Sequence, residues 1–88
     1  MLYYLYILRT SANTLYIGQT NNLERRLKEH QDKKTKSAKY IRYFTSANLV
    51  YSEIHNARSS VMKREIELKK WTKAKKELLI SDYFSHLP

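Results

Sequence analysis

Five side chains in this sequence are of types that act on phosphate esters: the phenols of Tyr6 and Tyr16, the guanidinium of Arg26, the imidazole of His30 and the carboxylate of Glu65. A guanidinium is a rigid fork matched to phosphate oxygens. A carboxylate suits a hard divalent cation, and Mg²⁺ needs only one or two of them because it keeps several waters. A free phenol titrates near ~10, so it is a weak base at neutral pH unless a cation lowers it. Each residue also has a plainer reading. Strand tyrosines are commonly amphipathic sheet residues. An arginine can snorkel or pair with a carboxylate, and a histidine at a helix end can be a cap or a surface group. Glu65 stands four residues before Lys69, a spacing that gives an intrahelical ion pair of ~0.3–0.5 kcal/mol. Spacing alone favours that pair over a site role for Glu65.

The elements that carry these residues can be read from periodicity. Tyr4-Leu5-Tyr6 and Tyr16-Ile17-Gly18 lie in two short runs that alternate with period two, with Ser11-Ala12-Asn13 between them. They predict a β-hairpin. Tyr6 and Tyr16 share a face if the register sums to an even number, for example with Tyr6 opposite Tyr16. Gly18 follows on the same face and leaves room for close approach to the backbone. Asn21 or Asn22 caps the next helix, with Glu24 completing a capping box on Asn21. That helix runs from about Leu23 to about Gln31, with Leu23, Leu27 and His30 on one side. Arg26 falls beside them, held against the hairpin, and Arg25 points into water.

Further along, Asp32 to Lys36 forms a polar basic link. A short helix is expected from Ser37 to about Phe44 with Ala38 and Ile41 inward, then a turn over Thr45-Ser46-Ala47-Asn48 and a third strand from Leu49 to His55. A long helix, capped by Asn56 or Ser59, is expected to run to about Lys75. One apolar side of it would hold Ala57, Val61, Leu68 and Trp71, and another Met62 and Ile66, with Arg58, Glu65 and Lys69 between. The expected organisation is one domain over 1–88, with a core of about 1–75 and a tail of 76–88. Leu78, Leu79, Ile80, Tyr83, Phe84 and Leu87 would let the tail pack back or self-associate.

The chain has 88 residues, 17 Lys and Arg against 8 Asp and Glu, net charge +9 and no cysteine. A domain of this size buries only about 60–65% of its unfolded surface. Lack of cysteine excludes a disulfide framework and a thiolate metal site. No apolar run approaches the ~20 residues of a membrane span, and no secretory leader is expected, so the expected setting is cytoplasmic. Eight basic residues lie between Arg25 and Arg42 and eight between Arg58 and Lys76, and only Arg9 lies elsewhere. Bases interleaved with Tyr40, Tyr43 and Trp71 point to a polyanion. A membrane-surface helix fits less well, because the apolar faces are needed for the core.

The ordered set Tyr4-Leu5-Tyr6, Tyr16-Ile17-Gly18 and Arg26-x3-His30 resembles the opening of the GIY-YIG nuclease superfamily. Ala38-Lys39-Tyr40 and Leu49-Val50-Tyr51-Ser52-Glu53 resemble its small single-domain bacterial subfamily. The resemblance covers roughly residues 1 to 72. It implies an α+β fold, a small three-stranded antiparallel sheet flanked by helices, and a nuclease acting on DNA in repair or processing. It also implies that Glu65, in Arg64-Glu65-x2-Leu68-Lys69, holds Mg²⁺ or Mn²⁺. Tyr16 would be the general base for water and Tyr6 its helper by hydrogen bonding or positioning, with Arg26 and His30 completing the site. Gln19, Arg25, Lys33, Lys34, Lys36, Lys39, Arg42 and Lys69 are expected to contact nucleic acid, single-stranded or branched DNA included. The chain would act as a monomer or weak homodimer without a small-molecule cofactor. His55 and His86 have no motif support. The sequence departs from the superfamily in reading Tyr-Leu-Tyr for Gly-Ile-Tyr. It also carries Gln19 where several relatives have lysine, and it has no secure equivalent of a later asparagine. Two other readings remain: a weakly active or inactive binding module on the same fold, and an RNA- or ribosome-associated interaction domain.

Overall fold

A computed structural model of the chain describes residues 1–32, 41 and 44–87. The element order is β1 (Tyr3–Thr10), β2 (Leu15–Thr20), α1 (Leu23–Asp32), β3 (Ala47–His55), α2 (Arg58–Lys69) and α3 (Lys73–Ser85). The strands form one antiparallel sheet in the order β2-β1-β3, so the fold is the expected α+β arrangement. β1 is central, and Leu5, Tyr6, Ile7 and Leu8 are all buried. A strand covered on both faces reads as a continuous apolar run rather than an alternating one.

The two faces have different covers. Leu5, Ile7, Ile17 and Tyr51 pack with Val61 and Leu68 of α2 and Ile80 of α3. Tyr6 and Leu8 pack on the other face with Ile41, flanked by Tyr16 and by Leu23 and Leu27 of α1. Ile41 is therefore inward, as expected. The rest of the proposed 37–44 helix, Ala38 included, lies outside the described residues apart from Phe44.

The β1–β2 connection closes on Thr10, whose Oγ1 accepts from the backbone amides of Ala12 and Thr14. Asn13 takes φ 63° there, a conformation that asparagine tolerates better than most residues. The register sums to an even number as required, but Tyr6 pairs with Gly18 and Leu8 with Tyr16. Tyr6 and Tyr16 are thus diagonal neighbours on one face. β1 and β3 pair from Tyr3↔His55 to Thr10↔Ala47, with a shift between Ile7↔Tyr51 and Leu8↔Leu49. This leaves Val50 as an extra residue, a β-bulge. Ala47 and Asn48 belong to the strand rather than to the preceding turn.

The helix ends correct the sequence reading. Asn22 caps α1 by accepting from the Arg25 amide at 3.0 Å. The third helical residue is then Arg25, so Glu24 cannot complete a capping box. Ala57, not Asn56 or Ser59, takes the N-cap position of α2 and makes no side-chain cap bond. The expected single helix to Lys75 is two helices. Thr72 adopts extended φ/ψ and its side chain accepts from the Lys75 amide at 3.2 Å, which starts α3. Residues 73–85 form that helix, and Leu79, Ile80 and Tyr83 pack in the core. Arg9 clamps α3 to the hairpin with bonds of 2.7 and 2.6 Å to Glu77. On α2, only Val61 and Leu68 of the proposed apolar sides are buried. Met62 and Ile66 are exposed, because the sheet can cover only one stripe of the helix.

Candidate active site at the edge of β2

Tyr6, Tyr16, Arg26 and His30 converge on the α1 face of the sheet. The rings of Tyr6 and His30 lie 5.9 Å apart, those of Tyr16 and His30 5.7 Å, and those of Tyr6 and Tyr16 6.4 Å. Gly18 makes this cluster possible. A β-carbon at that position would stand 2.5 Å from the Tyr6 oxygen and 2.6 Å from Cζ. What approaches the backbone at Gly18 is therefore the Tyr6 ring itself.

A chain of hydrogen bonds links the buried groups. The Tyr6 hydroxyl and His30 Nε2 are 2.9 Å apart, and the Arg26 guanidinium acts on the Tyr6 phenol. Burial pushes the Tyr6 phenol up to about 12, helped by Tyr16 and Glu65 and opposed by Arg26. Burial also drives His30 down to about 4, and the Arg26 charge adds to the shift. At neutral pH Tyr6 is thus a protonated phenol and His30 a neutral imidazole. Tyr6 is suited to holding a group in place by hydrogen bonding, not to accepting a proton from water.

The sorting of the two arginines follows the helix period. Arg26 is half-buried and bonds Glu29 at 3.1 Å, whereas Arg25 is exposed. Sequence reasoning missed Glu29 as the residue that orients Arg26. The signal was there, since helical positions three apart are neighbours.

Glu65 arrives from the opposite face. It lies between buried Val61 and Leu68 on α2, keeps 22% side-chain exposure and pairs with Lys69 at 3.3 Å. The ion pair predicted from spacing is present. Its carboxylate still acts on the Tyr6 phenol, which puts it within electrostatic reach of the tyrosine cluster. The meeting point is β2, the edge strand. A cleft of about 350 Å³ is lined by Leu15, Tyr16, Ile17, Lys69 and Lys76. Tyr16 therefore belongs both to the aromatic cluster and to a cleft shared with α2 and α3. A second, polar cleft of about 290 Å³ is lined by Tyr3, Gln19, Thr20, Asn21 and Arg58. Lys76 and Arg58 were not among the expected nucleic-acid contacts. The position of Lys76 depends on the helix break at Thr72, which periodicity did not reveal.

No group of three or more histidine, aspartate or glutamate side chains converges as a metal cage among the described residues. A single carboxylate such as Glu65 still fits a hydrated Mg²⁺- or Mn²⁺-like ion, which takes most of its ligands from water and substrate oxygens. Lys33, Lys34, Lys36, Lys39 and Arg42 lie outside the described residues. No helix among the described residues is long and apolar enough to cross a membrane.

Comparison with known proteins agrees with this fold. Residues 2–78 match the family model described as the GIY-YIG catalytic domain. The chain is 42% identical over 80 residues to a UPF0213 protein of Natronomonas pharaonis, covering 91% of this chain and 92% of that protein. It is 44% identical over 77 residues to a UPF0213 protein of Syntrophus aciditrophicus, covering 88% and 87%. The solution structure of a UPF0213 protein from Bacillus halodurans superposes with TM-score 0.60 at 34% identity, over 92% of this chain and 84% of that one. A solution structure from E. faecalis gives 0.63 at 31% identity, over 100% and 93%. With the family model spanning most of its length and close relatives covered nearly end to end, this chain belongs to the GIY-YIG family, among the small proteins called UPF0213.

Proposed function

We propose that this protein is a divalent-metal-dependent nuclease that hydrolyses DNA phosphodiester bonds, in DNA repair or processing. The observation that carries the reading is the convergence of Tyr6, Tyr16, His30 and Arg26 at an edge strand with the Glu65 charge in reach. Glu65 would hold Mg²⁺ or Mn²⁺. Such a cation, when bound, neutralises charge that develops on the phosphate and makes water more acidic. The protein's own groups do the rest. Arg26, oriented by Glu29, grips non-bridging phosphate oxygens. Tyr16, open to the cleft, takes a proton from the attacking water. Tyr6 stays protonated and fixes the geometry by hydrogen bonding, with His30 as its neutral partner. Gln19, Arg25 and Lys69, with Lys33, Lys34, Lys36, Lys39 and Arg42, supply contacts to the DNA.

The test is cleavage of single-stranded, duplex, flap and junction DNAs with Mg²⁺ or Mn²⁺, beside Glu65→Gln. Wild type should cut at least one of these DNAs and Glu65→Gln none, while DNA binding persists or tightens because a negative charge is gone. Equal cleavage by both proteins would remove Glu65 as the metal ligand. Binding without cleavage by either protein would favour an inactive binding module.

A further inference from the structure

We infer that the substrate strand lies along the edge of β2 as an unpaired DNA strand, held at one end by Arg58 and at the other by Lys76. This deepens the nuclease reading and rests on it for the position of the scissile bond. The two clefts described above sit at opposite ends of the same strand. Gln19 and Thr20 share one with Arg58, and Tyr16 shares the other with Lys69 and Lys76. β2 and α2 thus run side by side in opposite directions. Gly18 and Glu65 fall between the two ends. At about 3.3 Å per residue, Tyr16 to Thr20 spans ~13 Å, room for a few successive nucleotides.

The charges at the two ends are available. Half of the other described cations are committed: Arg9 and Lys73 to Glu77, Arg26 to Glu29, Arg64 to Glu53 and Glu67, and Lys69 to Glu65. Arg58 and Lys76 have no ion pair among the described residues, and Lys76 is half-buried beside Tyr16. A cation left unpaired at the rim of a cleft favours an anion there.

The stretch between them is not a plain basic surface. Arg58, Met62, Glu65 and Lys69 follow at i, i+4, i+7 and i+11, so they share one face of α2, and Ile66 borders it. Met62 and Ile66 are 41% and 55% exposed. A duplex laid here would offer these apolar side chains only its phosphates and sugars. An unpaired strand can turn its bases toward them, as single-strand channels combine a basic track with apolar or aromatic contacts. Exposed apolar side chains set between cations at the two ends therefore favour a single strand over a duplex.

The test uses the Glu65→Gln protein, which should not cut, and fluorescein-labelled oligo(dT) and duplex of equal length, read by anisotropy against salt. Arg58→Ala and Lys76→Ala should each weaken oligo(dT) binding several-fold and lower the log–log salt slope by roughly 0.7. Met62→Ser with Ile66→Ser should weaken oligo(dT) binding more than duplex binding. Lys63→Ala, on the outer side of α2, should change neither. Equal losses for Lys63→Ala, or losses confined to duplex, would overturn the inference. If wild type cuts DNA while Arg58 and Lys76 prove silent, the track fails and the nuclease reading stands. If nothing is cut yet oligo(dT) binding depends on both ends, the nuclease reading fails and the track stands. Circular dichroism of each variant separates loss of binding from loss of fold.

Discussion

Two clusters in this protein are built from the same parts. One holds Tyr6, His30, Arg26 and Glu29 on the α1 face, with Glu65 in reach. The other holds Tyr51, His55, Arg64 and Glu53 on the α2 face. In both, burial is the first cause that lifts a tyrosine to about 12. Their bonding differs. Tyr51 donates to Glu53, and Glu53 also accepts from His55 and Arg64, each at 2.9 Å. His55 is bound on its other nitrogen to Ser60. Arg64 reaches Glu67 at 2.8 Å and lies 5.3 Å from the Trp71 ring centre. Burial opposes ionisation of Glu53, but these donors hold it below the usual carboxylate range. The Tyr51 cluster has a carboxylate at its centre and its donors around it, and Tyr51 also lines a cleft of about 440 Å³ with Leu79, Asp82 and Tyr83. The Tyr6 cluster has no central carboxylate. Glu29 is bonded to Arg26 at its side, a second carboxylate, Glu65, acts from another element, and the neighbouring Tyr16 lines a cleft. A shifted tyrosine alone does not mark a site. What separates the two clusters is whether the donors are gathered on one carboxylate.

This contrast can be broken by substitution. The largest effect expected is on cleavage: Arg26→Ala should lose roughly 10²–10³-fold in rate, the scale of removing a preorganised donor to transition-state charge. Arg25→Ala should lose only what a surface phosphate contact supplies. Equal losses, measured as single-turnover rates, would mean that the helix face does not sort the two.

Next in size is the acid response of His30. Its folded value of about 4 lies below the ordinary 6.5, so the unfolded chain binds more protons between these values. Stability from the neutral imidazole is then complete above pH ~6.5 and is lost as pH falls toward 4, on the order of 3 kcal/mol. His30→Gln should flatten urea-derived stability in that window. Glu77, held at about 2 chiefly by its hydrogen bonds from Arg9, gives a separate loss below pH ~4.5 that His30→Gln should leave in place.

Glu53→Gln probes the Tyr51 cluster. It should cost roughly 1–3 kcal/mol, a drop of about 5–15 °C in Tm, by removing the charge and turning one of the two acceptor oxygens that three donors share into a donor. The cleavage rate of the folded fraction should stay within about twofold. A large rate loss without a Tm change would make this cluster part of the site. The smallest effect belongs to Lys69→Ala, whose exposed pair with Glu65 should contribute less than about 0.5 kcal/mol to unfolding.

The residues that pattern reasoning located are those whose orientation is fixed within a few positions. The hairpin, the even register, the inward side of α1 and the contrast of Arg26 with Arg25 all follow from periods of two and 3.6 residues. Backbone geometry sets these before any tertiary contact forms. The charge clusters were equally legible, because charge is carried by residue type alone. The helix break at Thr72 was not. A threonine can sit inside a helix or cap one, and here packing of Trp71 and α3 against the core selects the cap. Tertiary structure alone decided three further things. Tyr6 lies over Gly18 instead of facing Tyr16. His30, 24 residues away, meets the Tyr6 hydroxyl. Glu65 reaches the same strand from the far side of the sheet, within range of the Tyr6 phenol. Each depends on how separate elements stack, and side-chain volume and burial fix that stacking across long stretches of chain. The sequence determined the inward side of β1, β2 and α1; only the packed sheet decided which stripe of α2 is covered and which side chains meet.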